Sequence, residues 1–582
     1  MSANVRSFYE LLAIRANDQP NDAAYIFLDD HGTPKESISF GDLFRRALSV
    51  ATSLRQHCSP GDRAILAFAP GLDFFIAFFG SLVAGVIAVP VAVPRRRTER
   101  DATEAIVLDC GARLVLSSHS TLAARSDVTD RFRTLNLTLL FTDACQQAET
   151  HSGRQFVAPA STDVAFLQYT SGSTSQPKGV VITHDNMIEN SEMLRLSLGN
   201  SARSTHVSWL PHYHDMGLMA NALQTFYIGA LCVLMNPVAY MQRPHTWLRA
   251  IHDFRAEVAC GPNFAYDLCV ERFKPDLMQG VDLSCWKVAL NGAEPILPDT
   301  IKRFVSTFSA YGIDPSAVFP AYGLAEATVF VSAGKRGAGA TIRSFDAAAL
   351  HLGKAAPAGD GGEARHLVAC GMPGERIAIV DADRRLPLPP NTVGEIWIQG
   401  ANIGSGYWGK KEETDQVFRA RLAGAKDQRE WLRSGDLGFL DGDGRLFITG
   451  RLKDLIIIRG SNHYPQDIEL TVQTSHPALR RNHGVAFSSA DGDAERLIIV
   501  QEVERTQRNH VAVQDLKDAI REAVVREHGI APFRIVLIRP GQIPKTTSGK
   551  IQRNTTRNLW QAGQFEEIKD QVNKTGSSPL SS

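Results

Sequence analysis

The chain has 582 residues, 44% apolar and 21% charged, the composition of a globular protein too long for one core, so two or more domains are expected. Lys+Arg and Asp+Glu both total 62, which leaves no net basic charge to drive binding to nucleic acid or an anionic lipid surface. The eight cysteines, at 58, 110, 145, 232, 260, 269, 285 and 370, form no C-x-x-C pair, so neither a zinc site nor a disulfide framework is expected and a reducing cytoplasmic setting fits.

In chain order, the N-terminus carries Arg6, Glu10, Arg15 and Asp18 and lacks the unbroken apolar core of a signal peptide. A helix is predicted over Phe40–Cys58. The most hydrophobic stretch, Ala64 to Pro94, is broken by Pro70, Gly71, Asp73, Gly80, Gly85 and Pro90. It reads as a strand over Ala64–Ala69, a helix over Leu72–Val83 and a short strand over Val86–Val89, all buried, rather than as a membrane span. Further strands are predicted at Leu114–Leu116, Leu137–Phe141, Val180–Thr183 and Leu231–Met235, and a helix at Trp247–Phe254. The alternation predicts α/β architecture with parallel sheets. Residues 334–365 are rich in Gly and Ala and read as a long surface loop, a length that is often functional. A domain boundary is expected near Thr449–Asp454, followed by a small second domain. The polar tail from Gln571 to Ser582 reads as disordered.

The strongest chemical signal is Tyr169-Thr170-Ser171-Gly172-Ser173-Thr174-Ser175-Gln176-Pro177-Lys178-Gly179-Val180. Glycine permits close backbone approach, and hydroxyls and N–H groups can surround phosphate oxygens, with Lys178 adding a movable positive charge. As a surface turn it would be ordinary in composition, but this string at fixed spacing arises by chance below about 10⁻⁸ per start. It lacks the spacing of a Walker P-loop.

The segment resembles the phosphate-binding motif of adenylate-forming enzymes: acyl-CoA synthetases, peptide-synthetase adenylation domains, luciferases and fatty acyl-AMP ligases. Ser175 stands where many members have Gly. Further motifs follow in the family's order. Asn291-Gly292-Ala293-Glu294-Pro295 resembles the strand end that lines the adenine. Ala321-Tyr322-Gly323-Leu324-Ala325-Glu326 resembles the segment in which Tyr322 stacks on the purine and Glu326 holds Mg²⁺, with Ala325 where Thr is common. Ser434-Gly435-Asp436 resembles the motif whose Asp binds the ribose hydroxyls. Gly450-Arg451-Leu452-Lys453-Asp454 resembles the interdomain hinge, with Arg451 near the ribose and Lys453 as pivot. Pro544-Lys545-Thr546-Thr547-Ser548-Gly549-Lys550 resembles the loop that delivers the catalytic lysine, Lys550. Each alone is weak, since a lone Glu, Asp or Lys is most often a solvated charge or a turn residue; the order is what gives them weight.

The resemblance implies ATP and Mg²⁺ as cofactors. Lys178 would hold the outer phosphates, Glu326 the metal, and Lys550 would bridge carboxylate and α-phosphate. It also implies the architecture: a large N-terminal adenylation domain over about 1–450, made of two parallel-rich sheets and a distorted β-barrel and bearing the inserted segment 334–365. A hinge at 451–454, a small mobile α+β lid over about 455–575 and a disordered tail at 576–582 would follow. The site would lie between domain and lid, where closure expels water.

For the acid, Trp209, His214, Asp215, Met219, Asn263 and Phe264 are the candidate acyl and carboxylate residues. Ordinary core packing accounts for many such aromatics. Amino-acid-activating relatives keep an Asp near the position of Asn263 or Phe264, and neither is acidic here, which favours an alkyl chain worth about 0.8 kcal/mol per buried methylene. Trp209-Leu210-Pro211, Tyr213-His214-Asp215-Met216-Gly217-Leu218, Ile456-Ile457-Ile458-Arg459-Gly460 and Asn462-His463-Tyr464-Pro465-Gln466-Asp467-Ile468-Glu469 resemble the fatty acyl-AMP ligase branch. That branch carries its own insertion close to 334–365, which packs near the hinge and limits access of CoA. Ile457 stands where many CoA ligases have lysine. The implied partners are a fatty acid and the phosphopantetheine arm of an acyl carrier protein. A fatty acyl-CoA synthetase is the closest alternative. A peptide-synthetase domain would want the missing ammonium partner, and an ATP-sensing scaffold would be expected to lose Glu326 or Lys550.

Overall fold

The computed structural model describes all residues except 1–4, 95–101, 124, 146–155, 171–176, 360–362, 426, 459–460, 492–493, 508–510, 547–548 and 569–582. The predicted tail therefore lies outside the described residues. The chain divides into two compact units, one of residues 1–345 and 365–449, the other of 346–364 and 450–582.

The first unit is built on two large sheets. In the six-stranded sheet, Thr138–Phe141, Leu114–Ser117, Arg63–Ala67, Ile87–Val91 and Val164–Thr170 run parallel in that order, and Lys178–Thr183 closes the edge antiparallel. The hydrophobic stretch near residue 64 supplies two of these strands and the helix Asp73–Ala84 between them. Every residue of that helix from Phe74 to Ala84 is buried, and Gly85 ends it at φ 65°, a left-handed turn that glycine adopts without steric cost. Helix Phe40–His57 packs on it so closely that a Cβ on Gly80 would meet Val50 Cγ1 at 2.7 Å. Among the described residues, no helix is long and apolar enough to cross a membrane.

The eight-stranded sheet is parallel through its centre. Strands Val318–Tyr322, Val288–Asn291, Val258–Gly261, His206–Ser208, Cys232–Leu234 and Ala23–Leu28 lie side by side, with antiparallel strands at both edges. Apart from the polar His206, Ser208 and Asn291, their sequences are the near-continuous apolar runs of strands buried on both faces. Helix His184–Leu198 is entered through a capping box, Thr183 with Asn186, and left through Gly199. The expected barrel is represented by a four-stranded antiparallel sheet, Ile377–Val380, Gly394–Ile398, Leu432–Leu440 and Leu446–Arg451.

The second unit is α+β. Strands Leu479–Asp491 and Ala494–Val503 pair antiparallel, and Arg534–Ile538 adds parallel. Helices Pro465–Thr474, Val513–His528 and Arg553–Gln561 accompany them. Arg553 is held between Asp454 at 3.0 Å and Glu469 at 2.8 Å.

The segment expected as a surface loop of the large region behaves differently. Residues 346–364 pack with the second unit. Asp346 caps a short helix, Ala347–His351, by accepting from Ala349 N–H at 2.7 Å, and the His351 ring sits 4.9 Å from that of His463. Alanine's helix propensity and an Asp cap suffice for structure where the hydrophobic pattern is too sparse to announce it.

Candidate active site

Four neighbouring parallel strands of the eight-stranded sheet end on the same side, and open α/β sheets bind ligands outside such carboxyl ends. His206–Ser208 leads into Trp209–Asp215, Val258–Gly261 into Asn263 and Phe264, Val288–Asn291 into Gly292–Pro295, and Val318–Tyr322 into Gly323–Glu326.

Strands Val288–Asn291 and Val318–Tyr322 approach tightly at their ends. A Cβ on Gly292 would lie 2.8 Å from Ala321 O, so only glycine fits there. Ala293 follows at φ 68°, a strained position for a residue with a side chain. Glu294 turns back to accept from Phe264 N–H at 2.6 Å, placing a carboxylate at the N-terminus of helix Asn263–Glu271. Pro295 is exposed.

Tyr322 is buried, and its hydroxyl donates to Asp436 Oδ2 at 2.8 Å. Asp436 is presented by a bulge, since Glu395 pairs with Leu437 while Trp397 pairs with Arg433, leaving Ser434, Gly435 and Asp436 opposite Ile396 alone. Gly435 takes φ 70°, and Ser434 Oγ donates to Ile396 O at 2.6 Å while accepting from Asp436 N–H at 3.0 Å. Buried Glu395, paired with Arg433 at 2.7 Å, accepts from Gly435 N–H at 3.2 Å.

Glu326 sits in a 3-10 turn, Ala325–Ala327. Its carbonyl accepts from Gly404 N–H at 2.9 Å, and its Oε1 accepts from the Tyr407 hydroxyl at 2.8 Å. The next residue but one, Thr328, has φ 65° and ψ −54°, with Val329 N–H bonded to Ala327 O at 2.7 Å. This is the rarer, strained hand of γ-turn, occupied by a β-branched side chain. Gly323 permits the winding, because its Cβ would strike Val329 O at 1.7 Å. Leu324 is half-buried and Ala325 buried.

Thr170 and Lys178 are cross-strand partners in the six-stranded sheet. The predicted phosphate-loop residues Ser171, Gly172, Ser173 and Thr174 between them lie outside the described residues. Lys178 forms an ion pair with Glu413, and its ammonium stands 5.1 Å from the Tyr407 ring centroid. Nearby, Asp109 takes the Tyr169 hydroxyl and the Lys410 ammonium, each at 2.7 Å. Burial, then the hydrogen bond to Asp109, pushes the Tyr169 phenol far up.

The acyl candidates form an aromatic wall. Trp209 stacks on Tyr240 with centroids 3.9 Å apart, and Phe264 meets Trp209 edge-on at 6.1 Å. Met219 is fully buried in a π-helical turn, Leu218–Leu223, a feature frequent at functional sites. His214 Nδ1 lies 2.8 Å from Asp215 Oδ1, and both accept from Met216 N–H. Asn263 donates to Thr300 Oγ1 at 3.0 Å and accepts from Leu297 N–H at 3.1 Å. Asp267, the acid one turn on, is paired with Arg303 and accepts from Thr300 at 2.9 Å.

Arg451, Lys453 and Lys550 belong to the second unit. Arg451 and Lys453 are exposed. Lys550 closes a turn: its N–H donates to Thr546 Oγ1 at 3.0 Å and its carbonyl accepts from Thr546 N–H at 2.7 Å. Thr547 and Ser548 lie outside the described residues.

Among the described residues, no three His, Cys, Asp or Glu side chains cluster as a metal cage. One carboxylate at Glu326 nevertheless fits Mg²⁺, which keeps its waters and is usually held by one or two carboxylates plus substrate phosphates. All eight cysteines are unpaired. Tyr407, Glu413 and Thr328 escaped sequence reading, although Gly406-Tyr407-Trp408-Gly409 is a conspicuous run of glycine and aromatics.

The AMP-binding enzyme family model matches residues 12–408, and a Disco-interacting protein 2-like AMP domain model matches 453–570. A medium-chain-fatty-acid–acyl-carrier-protein ligase of Moorena producens is 39% identical over 98% of this chain and 97% of its own. A long-chain-fatty-acid–AMP ligase of Mycobacterium bovis is 35% identical over 98% and 99%. Among solved structures, a fatty acid AMP ligase of Legionella pneumophila is 34% identical with a TM-score of 0.74, covering 97% of both chains. A fatty acyl-adenylate ligase from work on the E. coli and L. pneumophila enzymes reaches 0.85 at 30% identity, over 97% and 99%.

Proposed function

We propose, from the premise that the chain belongs to the AMP-binding enzyme family, that it is a fatty acyl-AMP ligase. It joins a medium- or long-chain fatty acid to AMP, releases pyrophosphate, and passes the acyl group to the phosphopantetheine thiol of an acyl carrier protein. The observation that carries the substrate class is the uncharged wall of Trp209, Tyr240 and Phe264, with the nearby acid Asp267 already neutralised by Arg303. Such a wall suits an alkyl chain.

A carboxylic acid ionises near pH 4, so at neutral pH the substrate is already the nucleophile. One carboxylate oxygen forms a bond to the α-phosphorus of ATP, and the bond to the bridging oxygen breaks, pyrophosphate leaving with the electron pair. The barrier is the approach of one anion to another, and the chain's task is to supply positive charge and fixed dipoles. Lys178 holds the β- and γ-phosphates. Asp436 takes the ribose hydroxyls and Tyr322 the purine. Lys550 bridges the carboxylate and the α-phosphate as charge builds. Mg²⁺, held by Glu326, would neutralise phosphate oxygens. In the second step the thiol attacks the acyl carbonyl and AMP leaves. The eight unpaired cysteines suit a reducing cytoplasm.

The test is product analysis by mass spectrometry with ATP, Mg²⁺ and a series of saturated fatty acids, with and without CoA. Accumulated acyl-AMP with little acyl-CoA is the expected result. Efficient acyl-CoA formation would make the protein a fatty acyl-CoA synthetase, the reading favoured by a 35% identical relative named a putative fatty-acid–CoA ligase in Mycobacterium tuberculosis.

A further inference from the structure

The segment after strand Gly394–Ile398 passes between the phosphate-loop hairpin and Glu326 and is bonded to both. On one side it pairs with strand Lys178–Thr183: Ser405 N–H bonds Val181 O at 2.9 Å, Val181 N–H bonds Gly406 O at 2.9 Å, and Trp408 N–H bonds Gly179 O at 2.8 Å. On the other, Gly404 N–H holds the Glu326 carbonyl at 2.9 Å. At its centre stands Tyr407, whose hydroxyl donates to Glu326 Oε1 at 2.8 Å and whose ring faces the Lys178 ammonium at 5.1 Å. Tyr407 is 8% exposed, its ring meets Phe418 edge-on at 5.0 Å, and its N–H bonds Thr414 Oγ1 at 3.0 Å, so neither backbone nor ring is free to swing. Glycine at 406 is required, because a Cβ there would lie 2.3 Å from Thr414 Cγ2. Helix Lys411–Phe418, which carries Thr414, also carries Glu413, the ion-pair partner of Lys178.

We propose that Tyr407 is a positioning residue that sets Glu326 and Lys178 at a fixed separation, and that Glu413 is the counter-ion which the nucleotide's outer phosphates displace from Lys178. The proposal rests on the adenylating function proposed for the chain. A hydroxyl donating to one carboxylate oxygen fixes the carboxylate's plane and directs its remaining lone pairs. A cation over the negative face of an aromatic ring is held without a bond that a phosphate would have to break. Glu413 sits at the more exposed end, its side chain 41% accessible, so releasing it to water on nucleotide entry costs little.

The test uses the full chain with MgATP, fatty acid and calorimetry. Tyr407→Phe is expected to raise the Mg²⁺ concentration for half-maximal pyrophosphate release about tenfold, the scale of one hydrogen bond to a charged group, with the fatty-acid KM unchanged. Calorimetry should show the same variant losing much of the Mg²⁺-dependent gain in ATP affinity. In a Glu326→Gln background the added Tyr407→Phe change should do nothing more. Glu413→Gln should tighten ATP binding about threefold, the scale of an exposed ion pair. Full additivity of Tyr407→Phe with Glu326→Gln, or a wild-type Mg²⁺ dependence, would overturn the positioning role, and unchanged ATP affinity in Glu413→Gln would overturn the counter-ion role. Absence of pyrophosphate release from the wild type with every fatty acid would instead sink the ligase reading, and the calorimetric arm would still decide on Tyr407.

Discussion

The Tyr322 hydroxyl donates to Asp436 Oδ2 at 2.8 Å, tying the end of a central parallel strand to a bulge in an antiparallel sheet 114 residues further along the chain. The bond orients the carboxylate proposed to accept from the ribose hydroxyls. Asp436→Ala is expected to raise the KM for ATP between about tenfold and a hundredfold, the range for hydrogen bonds to a charged group, while Tyr322→Phe should cost less than about tenfold. Steady-state kinetics with ATP varied at saturating fatty acid would decide. An Asp436→Ala enzyme with the wild-type KM would remove this residue from the nucleotide site.

The γ-turn at Thr328 is overdetermined. Asn402 and Asn190 each donate Nδ2 to both Ala327 O and Phe330 O, at 2.8 to 3.4 Å, and Thr328 Oγ1 donates to Asn402 O at 2.7 Å. Strain of this kind persists only where the surroundings impose it, and here it fixes the turn that presents Glu326. Thr328→Val keeps the shape and leaves a buried carbonyl without its donor, so stability should fall by about 1–3 kcal/mol. Urea unfolding would measure it. Thr328→Ser should lose much less, and equal losses in the two variants would show that the hydroxyl is not what holds the turn.

Acid should weaken the fold through buried neutral histidines. Burial holds His206 and His212 down to about 3, and His184 to about 4. Burial, followed by the positive potential of His351 and His528, holds His463 to about 4. Each depressed value lies below the ordinary 6.5, so between the two the unfolded chain binds more protons than the folded one. The stabilisation is complete above about pH 6.5 and is lost as pH falls towards about 4 and then about 3. Each histidine adds about 1.4 kcal/mol per pH unit to the slope within its window. His206→Gln, which keeps a hydrogen-bonding group beside Asn200, should flatten the dependence of the unfolding midpoint between about pH 6 and 4.5. An unaltered slope would mean that His206 is not the neutral buried group described.

The sheets were legible because burial on both faces leaves uninterrupted apolar runs. Ala64–Ala69 and Leu114–Leu116 mark strands Arg63–Ala67 and Leu114–Ser117 within two residues at each end. Helix Asp73–Ala84 was legible through the glycines and prolines that flank it. The uses of particular side chains were not. Asn263 is drawn into bonds with Thr300 and Leu297, and Glu294 caps the helix that Asn263 begins. Both outcomes depend on which groups of a neighbouring strand come within hydrogen-bonding reach, which no local pattern encodes. Tyr407 was invisible for the same reason: its partners Lys178 and Glu326 are distant in sequence and meet it only through the pairing of 405–408 with strand Lys178–Thr183. The short helix Ala347–His351 was hidden differently, by a small apolar face in a Gly/Ala-rich segment.

The two lysines should fail in different ways when removed. Lys178 is fixed at the start of an edge strand opposite Thr170, and its proposed role is to hold the β- and γ-phosphates, most of whose charge is already present in ATP before the bridging oxygen takes up the departing electron pair. An interaction made largely in the ground state acts on KM more than on kcat. Lys178→Ala should therefore raise the KM for ATP about tenfold or more with a modest change in kcat. Lys550 is assigned to oxygens whose charge develops only as the carboxylate reaches the α-phosphorus. Its removal should lower kcat for pyrophosphate release about 10²-fold, by analogy with loss of one oxyanion donor, while ATP affinity measured by calorimetry stays near the wild-type value. Near-normal turnover of Lys550→Ala would reject its assignment. A Lys178→Ala enzyme losing kcat and keeping KM would transfer the transition-state role from Lys550 to Lys178.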